Sequence, residues 1–356
     1  EVLNLVLPGT STIPASDNAK LRKAREAGMY MVEMAKAGRK PSDLITKEVL
    51  MNAIMFDMAV AGSTNAVLHI LSYAYELGIK LTLADFEKYA KEIPCINAVV
   101  PSGPYTVVDF HYAGGVMNVM KMLESKLYTD VPSMYGNTWA DMLSRVKAQE
   151  NKVIHSLEKP LFNEPGLKIL RGNLSPNGAI VRPTAVYDEV KYMKGKAKVF
   201  EGDRPAFEAI MAGEIVPGDI IVIRYEGCKG APGMKELMLS IDALIGLGLD
   251  KSVGLISDAR FSGFNYGAII GHVSPEAYDG GNIALVENGD EIVIDIPNGE
   301  VSMLVSEEEL ERRRAAWVCP PLKEEKGCLN IFAKMCRPAE EGGAMQPWDL
   351  DAKFHR

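Results

Sequence analysis

Ser262 lies in the stretch SDARFSGFNYG, residues 257–267, directly after the apolar run VGLI. A chain that leaves a buried strand and turns at Gly263 can expose that serine as a nucleophile or base. The G-x-S-x-G pattern of hydrolase serines is absent, because Arg260 occupies the place two residues before Ser262. A sharp surface turn is the other reading. Three more polar segments carry residues of chemical interest. AGSTNAV, residues 61–67, places Ser63, Thr64 and Asn65 at a helix start, where hydroxyls and free N–H groups can receive an anion. Equally, Ser63 serves there as an N-cap. YEGCKGAPGMKEL, residues 225–237, sets Gly227, Gly230, Pro232 and Gly233 between Glu226 and Glu236. A carboxylate in such a loop can ligate a hard cation such as Mg²⁺, or the loop is simply solvated. GHVSPEAYDGGNIALV, residues 271–286, holds His272 and Glu276. His272 is a candidate base or a structural histidine, and His111, after Asp109, has the same two readings.

The elements that must position these residues change in texture along the chain. From 16 to 92 the spacing predicts helices. The first runs from an N-cap at Ser16 to a stop at Gly38, and Thr82 caps LADFEKYAKEI. HYAGGVMNVMKMLESKL reads as a helix broken or entered at Gly114-Gly115, and WADMLSRVKAQE continues the helical character. The methionines of MNAIMFDM read as core. Beyond about 160, short apolar runs alternate with Gly, Pro, Asn and Asp. LKIL, GAIV, AKVF, DIIVIRY, VGLI, IALV and DEIVIDI are strand signals at close spacing. Two strands are expected to join at Pro297-Asn298-Gly299.

Composition bounds the partners. The 356 residues carry a net charge of −8, which argues against nucleic acid, whose phosphates need concentrated Lys and Arg. The dense basic run ERRRAAW follows SEEEL, so it reads as a helix complementing its own dipole. No apolar run reaches the length of a membrane span and no signal peptide opens the chain. Cys95, Cys228, Cys319, Cys328 and Cys336 form no C-x-x-C pair; an odd, scattered set predicts reduced thiols and a cytoplasmic location. Residue 1 is Glu, and EVLNLVLPGT reads as the end of a helix and a turn at Pro8-Gly9, so a fragment is expected.

PSGPYTVVDFHYAGG, GNLSPNGAIVRP, VIRYEGCKGAPGMKE, SDARFSG and GHVSPEAYDGGNIALVENGDEIVIDIPN resemble, in this order, the dihydroxy-acid dehydratase and phosphogluconate dehydratase family. The resemblance covers nearly all of residues 1–317 and loosens in the tail. It implies an α+β chain: a remnant of a helix-rich α/β domain over 1–160, then a β-barrel-like domain over 161–356. It implies dehydration of a small-molecule 2,3-dihydroxy acid to a 2-keto acid, with an iron–sulfur cluster and Mg²⁺ as cofactors, in a homodimer. By the family's motifs Ser262 is the base and Glu236 a Mg²⁺ ligand, with Glu226 a weaker candidate. Ser63, Thr64, Asn65 and Arg260 line the pocket.

The chain also departs from the family pattern. The family's three cluster cysteines lie upstream of the match to residue 1, and none of the five cysteines here matches one. The chain alone is therefore expected to bind no cluster and to be inactive. ARFSG and AGSTN vary from the branched-chain forms GRFSG and GGSTN, whereas SIDALIGLGL is closer to the branched-chain type. A sugar-acid or phosphogluconate dehydratase and a non-catalytic truncated paralogue are the rival readings.

Overall fold

A computed structural model describes residues 1–346. The chain divides into two compact units. One comprises residues 1–168 with 182–185, and the other 169–181 with everything from 186 onward.

The first unit is helical. It contains α1 (Asn18–Lys36), α2 (Lys47–Ala59), α3 (Thr64–Glu76), α4 (Leu83–Glu92), α5 (Val107–Tyr112), α6 (Gly115–Met122) and α7 (Trp139–Ser144). Most of α2 is buried, including Leu50, Ile54, Met55 and Met58, and it packs against α3, α4 and α6. A helix apolar on most sides belongs at a centre. Its buried Asn52 is satisfied by the backbone of Tyr128 in both directions, at 2.8 and 2.9 Å. Thr82 with Asp85, Thr106 with Asp109, and Thr138 with Asp141 form reciprocal capping boxes. Gly114, at φ 106°, separates α5 from α6 as the glycine pair predicts.

Three local expectations are corrected. The opening segment is a series of turns rather than a helix end. Asp17, not Ser16, caps α1, accepting from the amide of Ala19 at 2.7 Å. The helix at WADMLS ends at Ser144.

Among the described residues the second unit is built on ten strands: β1 (Lys168–Leu170, its first residue grouped with the helical unit), β2 (Gly178–Val181), β3 (Tyr192–Phe200), β4 (Asp219–Ile223), β5 (Glu236–Leu237), β6 (Gly254–Ser257), β7 (Arg260–Phe261), β8 (Ile269–Ser274), β9 (Glu291–Asp295) and β10 (Glu300–Met303). Eight form one mixed sheet in the order β1-β2-β8-β6-β4-β3-β9-β10. The two ends of that order meet. Arg171, just past β1, bridges Glu300 of β10, with N–H···O bonds of 2.9 Å from Arg171 to Gly299 and from Val301 to Arg171. The sheet thus curls into a barrel-like α+β domain.

Strands β3, β4, β6 and β8 run parallel, so crossover connections must join them. α8 (Asp203–Met211) joins β3 to β4 and α9 (Leu239–Gly246) joins β4 to β6, whereas β6 reaches β8 through the segment that holds β7. Alternation along the strands divides the apolar residues. Ile220, Val222, Ile256 and Ile270 enter one core with Ile292, Ile294 and Val301. Ile221, Ile223, Leu255 and Ile269 enter the other, with Ile210, Ile241 and Leu244 from α8 and α9. Strands covered on both faces read as continuous apolar runs, which explains DIIVI.

The hairpin of β9 and β10 turns where Pro297-Asn298-Gly299 predicts. IALV does not form a strand: Asn282–Leu285 is a buried 3₁₀ turn. Conversely, IIGHVS is a fully buried strand inside a segment that reads as a loop. Its irregularity is a bulge. The register against β2 shifts between Gly178 and Ile180, and His272 takes φ 54°. A Cβ at Gly271 would lie 2.6 Å from the Phe261 ring.

The unit closes with α10 (Glu307–Ala316), acidic at its start and carrying Arg313 and Arg314 at its end, and α11 (Cys328–Met335). No helix among the described residues is long and apolar enough to cross a membrane.

Asn173 reinforces the closure by exchanging two 2.8 Å hydrogen bonds with the backbone of Met303. Asn173→Ala should lower the free energy of unfolding by about 1–3 kcal/mol, read by urea denaturation. An unchanged midpoint and slope would show that the seam carries no stability.

Candidate active site

In open α/β sheets, ligands bind beyond the carboxyl ends of parallel strands. Here the segments leaving β4, β6 and β8 converge on buried carboxylates. Asp258, 1 % exposed, accepts three backbone N–H groups. Its Oδ2 takes Tyr225 at 3.1 Å and Ala277 at 2.9 Å, and its Oδ1 takes Glu226 at 3.0 Å. Glu276 accepts from the amides of Lys229, at 2.8 Å, and Gly230, at 3.3 Å. Glu226, 2 % exposed, meets the ammonium groups of Lys235 at 3.0 Å and Lys323 at 3.2 Å. Lys229 pairs with Asp279. Gly227 is required by this closeness, because a Cβ there would stand 1.9 Å from Glu276 Oε2.

The electrostatics follow from burial. Desolvation pushes the Glu276 carboxyl up to about 8, helped by the charges of Asp258 and Asp279 and opposed by Lys229. Burial likewise raises Asp258 to about 6, against its three amide donors. Backbone strain gathers here too. Tyr225, Met234 and His272 have φ of 63°, 53° and 54°, conformations that persist only where surrounding structure holds them.

Glu236 and Ser262 lie on and just after a short strand pair. In the two-stranded pairing of β5 with β7, Glu236 stands opposite Arg260 and Leu237 opposite Phe261. Leu237 and Phe261 are buried, so Glu236 and Arg260 occupy the outer, half-buried face. Ser262 follows directly. Strand spacing and rise put its Cα about 8 Å from that of Glu236. The Ser262 Oγ accepts from the amide of Phe264 at 3.3 Å, and Arg260 Nε donates to the Met234 carbonyl at 2.5 Å. Immediately beyond Glu236, Asp203 receives the amides of Met238, Leu239 and Ser240 at 3.0–3.2 Å. That carboxylate caps α9 and fixes where β5 ends. His272 is buried on β8, its amide bonded to the Ala259 carbonyl at 2.9 Å.

Sequence reasoning singled out Ser262, Glu236, Arg260 and Glu226. It missed the organising roles of Asp203 and Asp258 and the amide contacts of Glu276. Their contacts span long stretches of chain and leave no periodic trace. The placement of Asp258 straight after a strand, like Ser262, was the available signal.

The turn Gly62–Asn65 belongs to the first unit. Ser63 is the N-cap of α3, accepting from Asn65 N at 3.2 Å, and Thr64 is buried. The residue beneath it is Asp57, whose Oδ1 would lie 1.8 Å from a Cβ at Gly62; only glycine fits. Complete burial raises the Asp57 carboxyl to about 8, opposed by the Ser63 amide and by Arg182. Its buried Oδ2 has no hydrogen-bond partner, which suits a protonated acid. Ala61, before the turn, is left-handed at φ 47°. His111 bonds Thr12 Oγ1 through Nδ1 at 2.9 Å.

The family models complete this picture. A dihydroxy-acid/6-phosphogluconate dehydratase N-terminal model matches residues 1–142, and the corresponding C-terminal model matches 152–343. The chain belongs to the dihydroxy-acid/6-phosphogluconate dehydratase family. Among curated relatives it is 44 % identical, over 97 % of its length, to a protein of Clostridium novyi (strain NT) named dihydroxy-acid dehydratase. Proteins of the same name from Ignicoccus hospitalis and Methanosarcina barkeri are 44 % and 45 % identical over 97 % and 96 % of the chain. The chain spans 63 % of the length of each.

The iron–sulfur cluster and Mg²⁺ that the family resemblance implies call for particular donors. A cluster needs thiolates. Cys95, Cys228 and Cys336 are buried, and burial pushes Cys95 and Cys336 up to about 12 and Cys228 well above the usual thiol range. Cys319 and Cys328 are exposed. Among the described residues no group of three or more His, Cys, Asp or Glu side chains is arranged to hold a metal. Glu226, Asp258 and Glu276 are committed to lysines and amides.

Asp57 makes folding depend on pH. Its carboxyl rises from 3.8 to about 8 on folding, so the folded state holds a proton that the unfolded chain releases. That contribution is complete below about pH 4 and is lost as pH rises through about 8. Asp57→Asn mimics the protonated form. It should reduce the fall in thermal midpoint between about pH 5 and 8.5, leaving the part due to Glu276 and Asp258. A slope equal to the parent's would contradict a protonated Asp57.

Proposed function

We propose that the protein is a dihydroxy-acid dehydratase, a hydro-lyase that converts a 2,3-dihydroxy acid to a 2-keto acid in branched-chain amino-acid synthesis. The observation that carries this reading is the ordered match of both family models, joined to relatives all named for that activity. The relatives' names favour the dihydroxy acid over a phosphorylated sugar acid. By the same family likeness we propose a cytoplasmic homodimer whose activity requires an iron–sulfur cluster and Mg²⁺. The described residues offer no ligand set for the cluster, so no step is assigned to it.

Within this chain the reaction divides as follows. Ser262 Oγ takes the C2 proton, and the C3 hydroxyl leaves as water. The resulting enol then becomes the ketone. A serine is a feeble base unless its alkoxide is favoured. The Phe264 N–H donated to Oγ and the Arg260 guanidinium two residues before act in that direction. Glu236, paired in register with Arg260, would contribute a carboxylate ligand for Mg²⁺, and Arg260 would attract the substrate carboxylate.

Two experiments test this. The 356-residue chain, reconstituted anaerobically with iron and sulfide, should stay colourless and inactive; cluster absorption with turnover would show that its own thiols are ligands. In the complete enzyme, Ser262→Ala should lower kcat about 10²–10⁴-fold with metal content unchanged. Glu236→Gln should lower Mg²⁺ affinity together with rate. Near-normal turnover of Ser262→Ala, with loss of C2-proton exchange in His272→Asn, would transfer the base role to His272.

A further inference from the structure

We propose that Lys323 is a positioning residue for the site. The segment from Trp317 to Lys323 acts as a strap that holds the loop ending in Glu236.

The case starts from Tyr225, a non-glycine residue in the left-handed region at the point where the chain leaves β4. Such a conformation is costly and must be held from several sides. Asp258 takes its amide at 3.1 Å. Lys323 Nζ donates to its carbonyl at 2.7 Å, and Trp317 Nε1 donates to its phenol oxygen at 3.1 Å. The Arg224 guanidinium stands 5.5 Å from its ring centroid. Two of these four contacts come from the strap.

The next residue, Glu226, repeats the pattern. Its carboxylate is almost fully buried, and two cations neutralise it, Lys235 and Lys323. A buried charge that loses a partner is strongly destabilised. Without Lys323, Lys235 alone must answer Glu226, and Lys235 is the neighbour of Glu236 in sequence. An error at the start of the loop would therefore be felt at its end.

The strap is seated beside the site as well. The Trp317 ring lies where a Cβ at Gly280 would meet it at 3.2 Å, and Cys319 Sγ is 3.6 Å from the Tyr278 carbonyl oxygen. Lys323 itself is 46 % exposed. It is not core, and its removal leaves both apolar clusters untouched. That separates positioning from bulk stability.

The inference rests on reading loop 225–236 as part of the site, but its test needs no turnover. Amide hydrogen exchange on the 356-residue chain compares the parent with Lys323→Met, Lys323→Arg and Trp317→Phe. Lys323→Met should speed exchange within residues 225–236 by about tenfold, with protection in β6 and β9 unchanged. Lys323→Arg should restore most of the protection, and Trp317→Phe should loosen the same loop. Unchanged exchange in Lys323→Met, or a rise spread evenly over the whole second unit, would overturn the strap. An unchanged loop would leave the dehydratase reading standing. An inactive complete enzyme would end that reading and leave the strap intact.

Discussion

Asp258 joins three segments of chain through three backbone hydrogen bonds to one buried carboxylate. The segments follow β4, β6 and β8, whose carboxyl ends point the same way. A parallel sheet brings such ends together but does not fix the loops beyond them. A carboxylate can accept several amides at once, and an ionised one accepts them strongly. Burial opposes that ionisation and raises Asp258 to about 6. The clamp balances two large effects, and the rest of the site inherits its geometry.

Glu276 and Glu226 extend the same logic with different solutions. Glu276, desolvated by burial and near other negative charges, is pushed to about 8, so near neutral pH it holds its proton for much of the time. Glu226 is instead matched by two lysines. Close approach of these groups leaves no room for side chains at Gly227. Glu236 and Ser262 stay outside the clamp, on the half-buried face of a short strand pair. Asp203 and Asp258 fix the frame through backbone amides.

Much of the fold was legible because it rests on local rules. The cap at Thr82 and the Pro297-Asn298-Gly299 turn of the last hairpin need only neighbours in sequence. The apolar run DIIVIRY announced a strand, and the structure shows that both its faces are covered. What failed locally failed for tertiary reasons. IIGHVS hides a central strand because Phe261 demands glycine at 271 and the bulge at His272 interrupts alternation. IALV is a buried turn, and periodicity cannot separate that from a buried strand of the same length. Ser262 and Glu236 were legible as polar residues closing strand-to-loop segments. Asp258 and Asp203 were not, since a carboxylate that organises distant amides looks like any loop acid until the fold is known.

The clamp itself is open to a direct measurement. In Asp258→Asn the amide oxygen can keep the Glu226 bond, but the NH₂ group must then face the amides of Tyr225 and Ala277, donor against donor. Residue-resolved hydrogen exchange by NMR would follow those three amides in the parent and the variant. The account predicts that Tyr225 and Ala277, on different loops, lose protection together while Glu226 keeps most of its own. Parent-like protection at both, or a loss at one with the other untouched, would contradict the claim that a single carboxylate holds the site's loops in place.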